Sequence, residues 1–263
     1  MISITFKVEP DFIARYMIKK SKMPRDFANF LWNKYNCSYI SLQKNMQSNN
    51  IDLNILKELK EQDFFIETLE KAKENLKRIE KNWGLNKEKI NNILFKLMKT
   101  QFDLHTTCFV LSPELNGGHH LGNFSFIWGH EMGLKNPNYD LVYLVHESLH
   151  SYFNSDDLSH AIIENIADIE LSKLLDQTNI CRYDTHPFLQ ELHAKILPFW
   201  NLYLNHNKSE ISKSQQSQNI NYDISMFEKY RSQLSKMEIN TFISFLQVEL
   251  KKINFKTHFE ISL

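Results

Sequence analysis

Apolar positions recur at helical spacing along most of the 263 residues. A short run at 3–8, rich in β-branched and aromatic residues, predicts an opening strand. "DFIARYMIKK" and "PRDFANFLWNKY" each begin with Asp or Pro ahead of apolar residues at i, i+3 and i+4, which predicts two short helices. From Asp52 to Phe102 the helical period is almost continuous. Gly84 and Asn86 in "NWGLNKEK" supply a C-cap and a new N-cap there, predicting two long helices. The period then changes: "TTCFVL" at 106–111 and "NFSFIW" at 123–128 predict two strands. The glycine-rich "SPELNGGHHLGN" between them predicts a surface loop. Asn136 and Pro137 then open a helix whose stripe is Leu141, Leu144, Val145 and Leu149. "NSDDLSH" at 154–160 predicts a turn, residues 161–175 a helix, and Phe188 to about His206 another. The polar stretch 205–223 predicts a mobile loop before two closing helices, "ISMFEKYRSQL" and "INTFISFLQVELKKI".

Inside the helix opened by Asn136 lies "YLVHESLHSYF", where His146 and His150 are one turn apart on one face with Glu147 beside them. Two imidazoles and a carboxylate so placed can hold a zinc ion and activate its water. Composition alone produces an H-E-x-x-H match in roughly one chain in thirty, so context decides. The motif sits on an apolar helix, and "NFSFIW" shortly upstream offers an extended edge for a substrate backbone.

A catalytic zinc takes three protein ligands, and "ENIAD" at 164–168 offers the third. If His150 lies one turn before the end of its helix and Glu164 one turn into the next, an antiparallel hairpin brings them level. Asp168 then follows one turn beyond Glu164, where it could accept a ring N–H from a ligand histidine. The neighbours Ile162, Ile163, Ile166 and Ile169 make these carboxylates costly to bury without a partner.

"HESLH" followed by "ENIAD" resembles the gluzincin zinc metallopeptidases, the thermolysin clan, and "ENIAD" is similar to the third-ligand motif of the neprilysin group. The resemblance covers about 23 residues. It implies an α+β, predominantly helical fold, with a zincin-like core built on a small sheet and the HExxH helix. It also implies Zn2+ as cofactor, His146, His150 and Glu164 as ligands, Glu147 as general base, and Asp168 supporting a ligand histidine. A gluzincin also uses a Tyr or His oxyanion donor from further along the chain, for which Tyr183 and His186 are the candidates. His193 reads as a structural histidine and Tyr152 as packing.

Lys and Arg number 31 and Asp and Glu also 31, so no net field favours nucleic acid or an acidic membrane. No apolar run reaches the roughly 20 residues of a span, and the first residues lack a secretory pattern, so a cytoplasmic protein is expected. Cys37, Cys108 and Cys181 form no CxxC pair and read as small core residues. His119 and His120 lack an accompanying carboxylate or cysteine, and "GHEMG" lacks its second histidine, so neither reads as a ligand set. The expected organisation is a helical region 1–102, a catalytic core 103–206 and a C-terminal region 207–263. The expected activity is hydrolysis of peptides or protein segments in extended conformation. The alternative is a regulatory or binding protein that keeps the zinc site without catalysis. Oligomeric state has no signal in the sequence.

Overall fold

A computed structural model describes residues 1–35, 53–175, 186–218 and 222–252. They are predominantly helical with one small sheet, an α+β arrangement, and sort into two compact units, each assembled from segments distant in sequence. Cys37 and Cys181 lie outside the described residues, and Cys108 is a buried free thiol.

The first unit comprises Ile2–Lys87 and Leu104–Ser151. Its sheet has the order β1-β2-β4-β3, with β1 at Ile2–Lys7, β2 at Leu104–Val110, β3 at Gly117–Gly122 and β4 at Ser125–Gly129. The neighbours β1–β2 and β2–β4 are parallel, and β3 pairs antiparallel with β4. Between β1 and β2 the chain forms α1 (Pro10–Lys19), α2 (Arg25–Tyr35), α3 (Leu53–Lys60) and α4 (Asp63–Met98), and after β4 come α5 (Glu131–Lys135) and α6 (Pro137–Leu149).

Side-chain alternation decides which residues face which layer. Thr106 Oγ1 lies 3.1 Å from Ser148 Oγ, so the Thr106 face of β2, with Leu104, Cys108 and Val110, is covered by α6. Phe109 points the other way and stacks on Phe12 of α1 at 4.9 Å. There Ile13, Met17, Leu31, Leu56, Leu59 and Phe65 close the core. On the α6 side Leu141, Val142, Leu144, Val145 and Leu149 are all fully buried, worth roughly 10 kcal/mol of gross burial.

The second unit comprises Glu88–Asp103 and the described residues from Tyr152 onward. It contains the end of α4, then α7 (Asp157–Glu164), a π-helical stretch at Asn165–Leu171, and α8 (Ser172–Leu175). There follow α9 (Gln190–Tyr203), α10 (Lys208–Gln218), a 3-10 stretch at Ile224–Tyr230, α11 (Arg231–Leu234) and α12 (Ile239–Lys252). Trp200, Tyr203 and Phe242 stack at its centre, and Tyr203 Oη donates to Leu97 O at 2.8 Å.

Several sequence expectations are corrected. Residues 63–98 form one helix through Gly84, where a side chain would meet open space; the break falls at residues 61–62 instead. "GGHHLG" is a strand, β3, and it is β3 that ends the sheet, while the "NFSFIW" run forms the interior strand β4. Much of 205–223 is helical because Asn207 and Glu210 form a reciprocal capping box, Asn207 N–H to Oε2 at 2.7 Å and Glu210 N–H to Oδ1 at 3.0 Å. "ISMFEKYRSQL" is mostly a 3-10 stretch rather than an α-helix. Among the described residues no helix is long and apolar enough to cross a membrane.

Candidate metal centre

α6 starts as its sequence dictates. Asn136 Oδ1 accepts the Asn138 N–H at 3.0 Å, and Pro137 occupies the first turn, where a missing N–H costs nothing. The helix is buried nearly all round, so His146 and Glu147, each 5% exposed, lie in a low-dielectric setting. His150 caps the C-terminus, one turn after His146, and the two Nε2 atoms are 3.2 Å apart. Two Zn–N bonds of about 2.05 Å at a tetrahedral angle place their nitrogens about 3.3 Å apart. The pair therefore has the spacing of a chelating couple, and the donor type suits zinc.

Edge strand β3 adds a third imidazole to this unit. Its register places His120 beside Phe126, on the α6 face. His120 Nδ1 accepts the Gly122 N–H at 3.3 Å, so the proton sits on Nε2, which donates to Ser151 Oγ at 3.0 Å. The ring centres of His120 and His150 are 5.7 Å apart. His119, one residue earlier, faces the opposite layer against Tyr16. The expectation of a surface loop missed this because glycines obscured the strand, although period-two alternation separates the two histidines. His130 Nδ1 caps α5 by accepting Met132 N–H at 3.1 Å.

Tyr143, one turn before His146, stacks on Trp128 at 3.9 Å, and its hydroxyl occupies the place a Cβ on Gly118 would take. Only glycine lets the edge strand approach so closely. Beneath, Asp140 is fully buried. It accepts Trp128 Nε1–H at 2.7 Å and Arg78 Nη1–H at 2.5 Å, while Arg78 also donates to Gly133 O at 2.8 Å. Burial pushes the Asp140 carboxyl up, against the Arg78 guanidinium beside it. This network ties α4, β4 and α5 to the helix that carries the histidines.

In the second unit Glu164 is fully buried at the end of α7. Its Oε1 accepts the His186 backbone N–H at 3.1 Å and the ring Nδ1–H of the same residue; its Oε2 accepts His193 Nε2–H at 2.5 Å. His160 Nε2 lies 3.7 Å from Oε1. Burial raises the Glu164 pKa, but the hydrogen bonds from His193 and His186 outweigh it and hold the carboxyl at about 2. His160, Glu164 and His186 each present one ligand atom, all within 4.8 Å of one another, a spacing that can hold a cation. Oε1 spends both lone pairs on the two His186 donors, whereas Oε2 accepts only from His193 and keeps a second lone pair with which it can coordinate.

The hairpin register assumed for Glu164 is corrected at both anchors. α6 ends at Leu149 with His150 as its cap rather than a turn further on, and α7 begins at Asp157, so Glu164 is two turns in. Asp168 is buried, on a π-helical stretch whose wider turn leaves it short of a full turn past Glu164. His186 is joined to Glu164 as described, and Tyr183 lies outside the described residues. His193 is buried and hydrogen-bonded to the Glu164 carboxylate, in keeping with a structural histidine. Tyr152 is structural: its hydroxyl accepts from Asn240 Nδ2 at 3.0 Å and its ring packs on Phe102. His160 had a sequence signal, four residues before Glu164 on one helix, whereas His193 is 29 residues away and had none. No protein-family model, curated protein or solved structure matches the chain, so function is argued from this chemistry.

Proposed function

We propose that the protein is a zinc-dependent metallopeptidase acting on extended peptide segments. The observation that carries the reading is the His146–His150 nitrogen pair at 3.2 Å, next in sequence to a buried carboxylate, Glu147. His146 and His150 would hold the metal, with Glu164 as the third ligand that the sequence resemblance implies. A bound zinc supplies Lewis acidity, lowering the pKa of its water and polarising the substrate carbonyl.

The chain's own groups do the rest. Glu147 takes a proton from the attacking water and returns it to the leaving amine, which its nearly buried setting favours by strengthening local electrostatics. Strand β3, which ends the sheet among the described residues, would offer its outer N–H and C=O groups to an extended peptide by strand addition. The sequence resemblance further implies His186 as a donor to the substrate oxyanion.

The test is zinc content and peptide cleavage of the native protein beside Glu147→Gln and His150→Ala. Glu147→Gln is expected to keep stoichiometric zinc and lose at least about a hundredfold in turnover, the usual scale for a general base. His150→Ala is expected to lose both. Undiminished cleavage by Glu147→Gln refutes the mechanism.

A further inference from the structure

The β3–β4 hairpin closes in two residues, Asn123 and Phe124, because its last ladder pair is Gly122 with Ser125. Their φ angles are 47° and 56°. That is the type I′ turn, whose twist suits a two-residue hairpin and whose second position strongly favours glycine. Here the second position carries a phenylalanine in the left-handed region, a conformation that costs a bulky residue stability. Burial does not offset the strain, since Phe124 is 56% exposed. The backbone is fixed in place, with Thr107 N–H donating to Phe124 O at 2.9 Å.

A second irregularity adjoins it. The β3–β4 ladder shifts register between His120 and Gly122, and Leu121, inside that bulge, is 38% exposed. Bulges re-aim side chains. The hairpin thus holds two large apolar side chains in water at the end of the strand whose His120 ring adjoins His150. Among the described residues the same strand ends the sheet. An extended polypeptide is the ligand that uses both features, taking main-chain bonds from the strand and presenting alternate side chains to its flanks.

We infer that Leu121 and Phe124 form the specificity contact for an apolar side chain of a peptide paired along β3. The inference rests on the metallopeptidase reading and names the substrate class of that site. Strain at Phe124 is then a local stability cost retained for recognition.

The experiment measures binding rather than turnover. Fluorescein-labelled octapeptides of Ser and Thr, with Leu or Asp at one central position, are titrated by anisotropy against zinc-loaded protein carrying Glu147→Gln, which prevents cleavage. The Leu peptide is expected to bind at least about tenfold tighter than the Asp peptide. Adding Phe124→Gly is expected to remove most of that preference while Tm holds or rises by about 2–4 °C. Adding Leu121→Ser is expected to weaken the preference with Tm unchanged. Equal binding of the two peptides, a preference that survives Phe124→Gly, or a fall in Tm on Phe124→Gly overturns the inference. If the preference is found but the native protein cleaves no peptide, the metallopeptidase reading fails and the contact stands. If it cleaves Leu and Asp peptides equally, the reading stands and the contact fails.

Discussion

Lys99 donates to the carbonyls of Tyr203 and Ser235, the latter at 2.9 Å, with its ammonium 3.9 Å from the Tyr203 ring centre. Burial pulls its pKa from 10.5 down to about 8. Below pH 8 both folded and unfolded chains carry the proton and the desolvation cost is fully present. Between about 8 and 10.5 the unfolded chain binds more protons, so stability rises with pH. The buried Tyr203 phenol, held above its ordinary value of 10.0, opposes this above about pH 10, where the unfolded tyrosine ionises first. Urea midpoints should therefore climb from pH 8 to 10 in the native protein and climb less in Lys99→Met; equal slopes refute the assignment. Legibility at this scale divides cleanly. His146, Glu147, His150 and Glu164 could be read because each belongs to a short motif. His120 and His193 could not, since what brings them to their partners is strand register and a separation of 29 residues.

Helix α6 was legible as an element because its Asn-Pro start and its apolar period agree. Strand β3 was not. Gly117 and Gly118 have low strand propensity, and what puts them in the sheet is tertiary: the hydroxyls of Tyr16 and Tyr143 stand where a Cβ would be. Helix α4 was misread because Gly84 and Asn86 look like caps, whereas an exposed glycine costs a long helix only about 1 kcal/mol. The capping box of α10 was present in the text as Asn207-x-x-Glu210 but was outweighed by polar composition. Asn207→Ala should cost about 1 kcal/mol of local stability, seen as faster amide exchange confined to residues 208–216. The fastening of α6 is stronger. Arg78→Met strips the guanidinium from a fully buried Asp140 and should cost about 3 kcal/mol in urea denaturation. Protonation of Asp140, already favoured by its burial, limits the loss at low pH. A cost below about 1 kcal/mol would show that the pair does not hold the helix.

For the whole molecule, a metal bound only by the folded chain adds stability by mass action, about 2.7 kcal/mol at a hundredfold excess over Kd. Thermal unfolding should shift upward with zinc and downward with a chelator, and His146→Ala with His150→Ala should abolish the shift. The proposed hydrolysis of peptide bonds depends on that metal being held by those two rings. X-ray absorption at the zinc edge of protein loaded with one equivalent reports the ligands directly. The account predicts two imidazole nitrogens and one or two oxygens at about 2.0–2.2 Å, with no sulfur. A spectrum without the imidazole pair, or one that persists unchanged when both histidines are replaced, would contradict it.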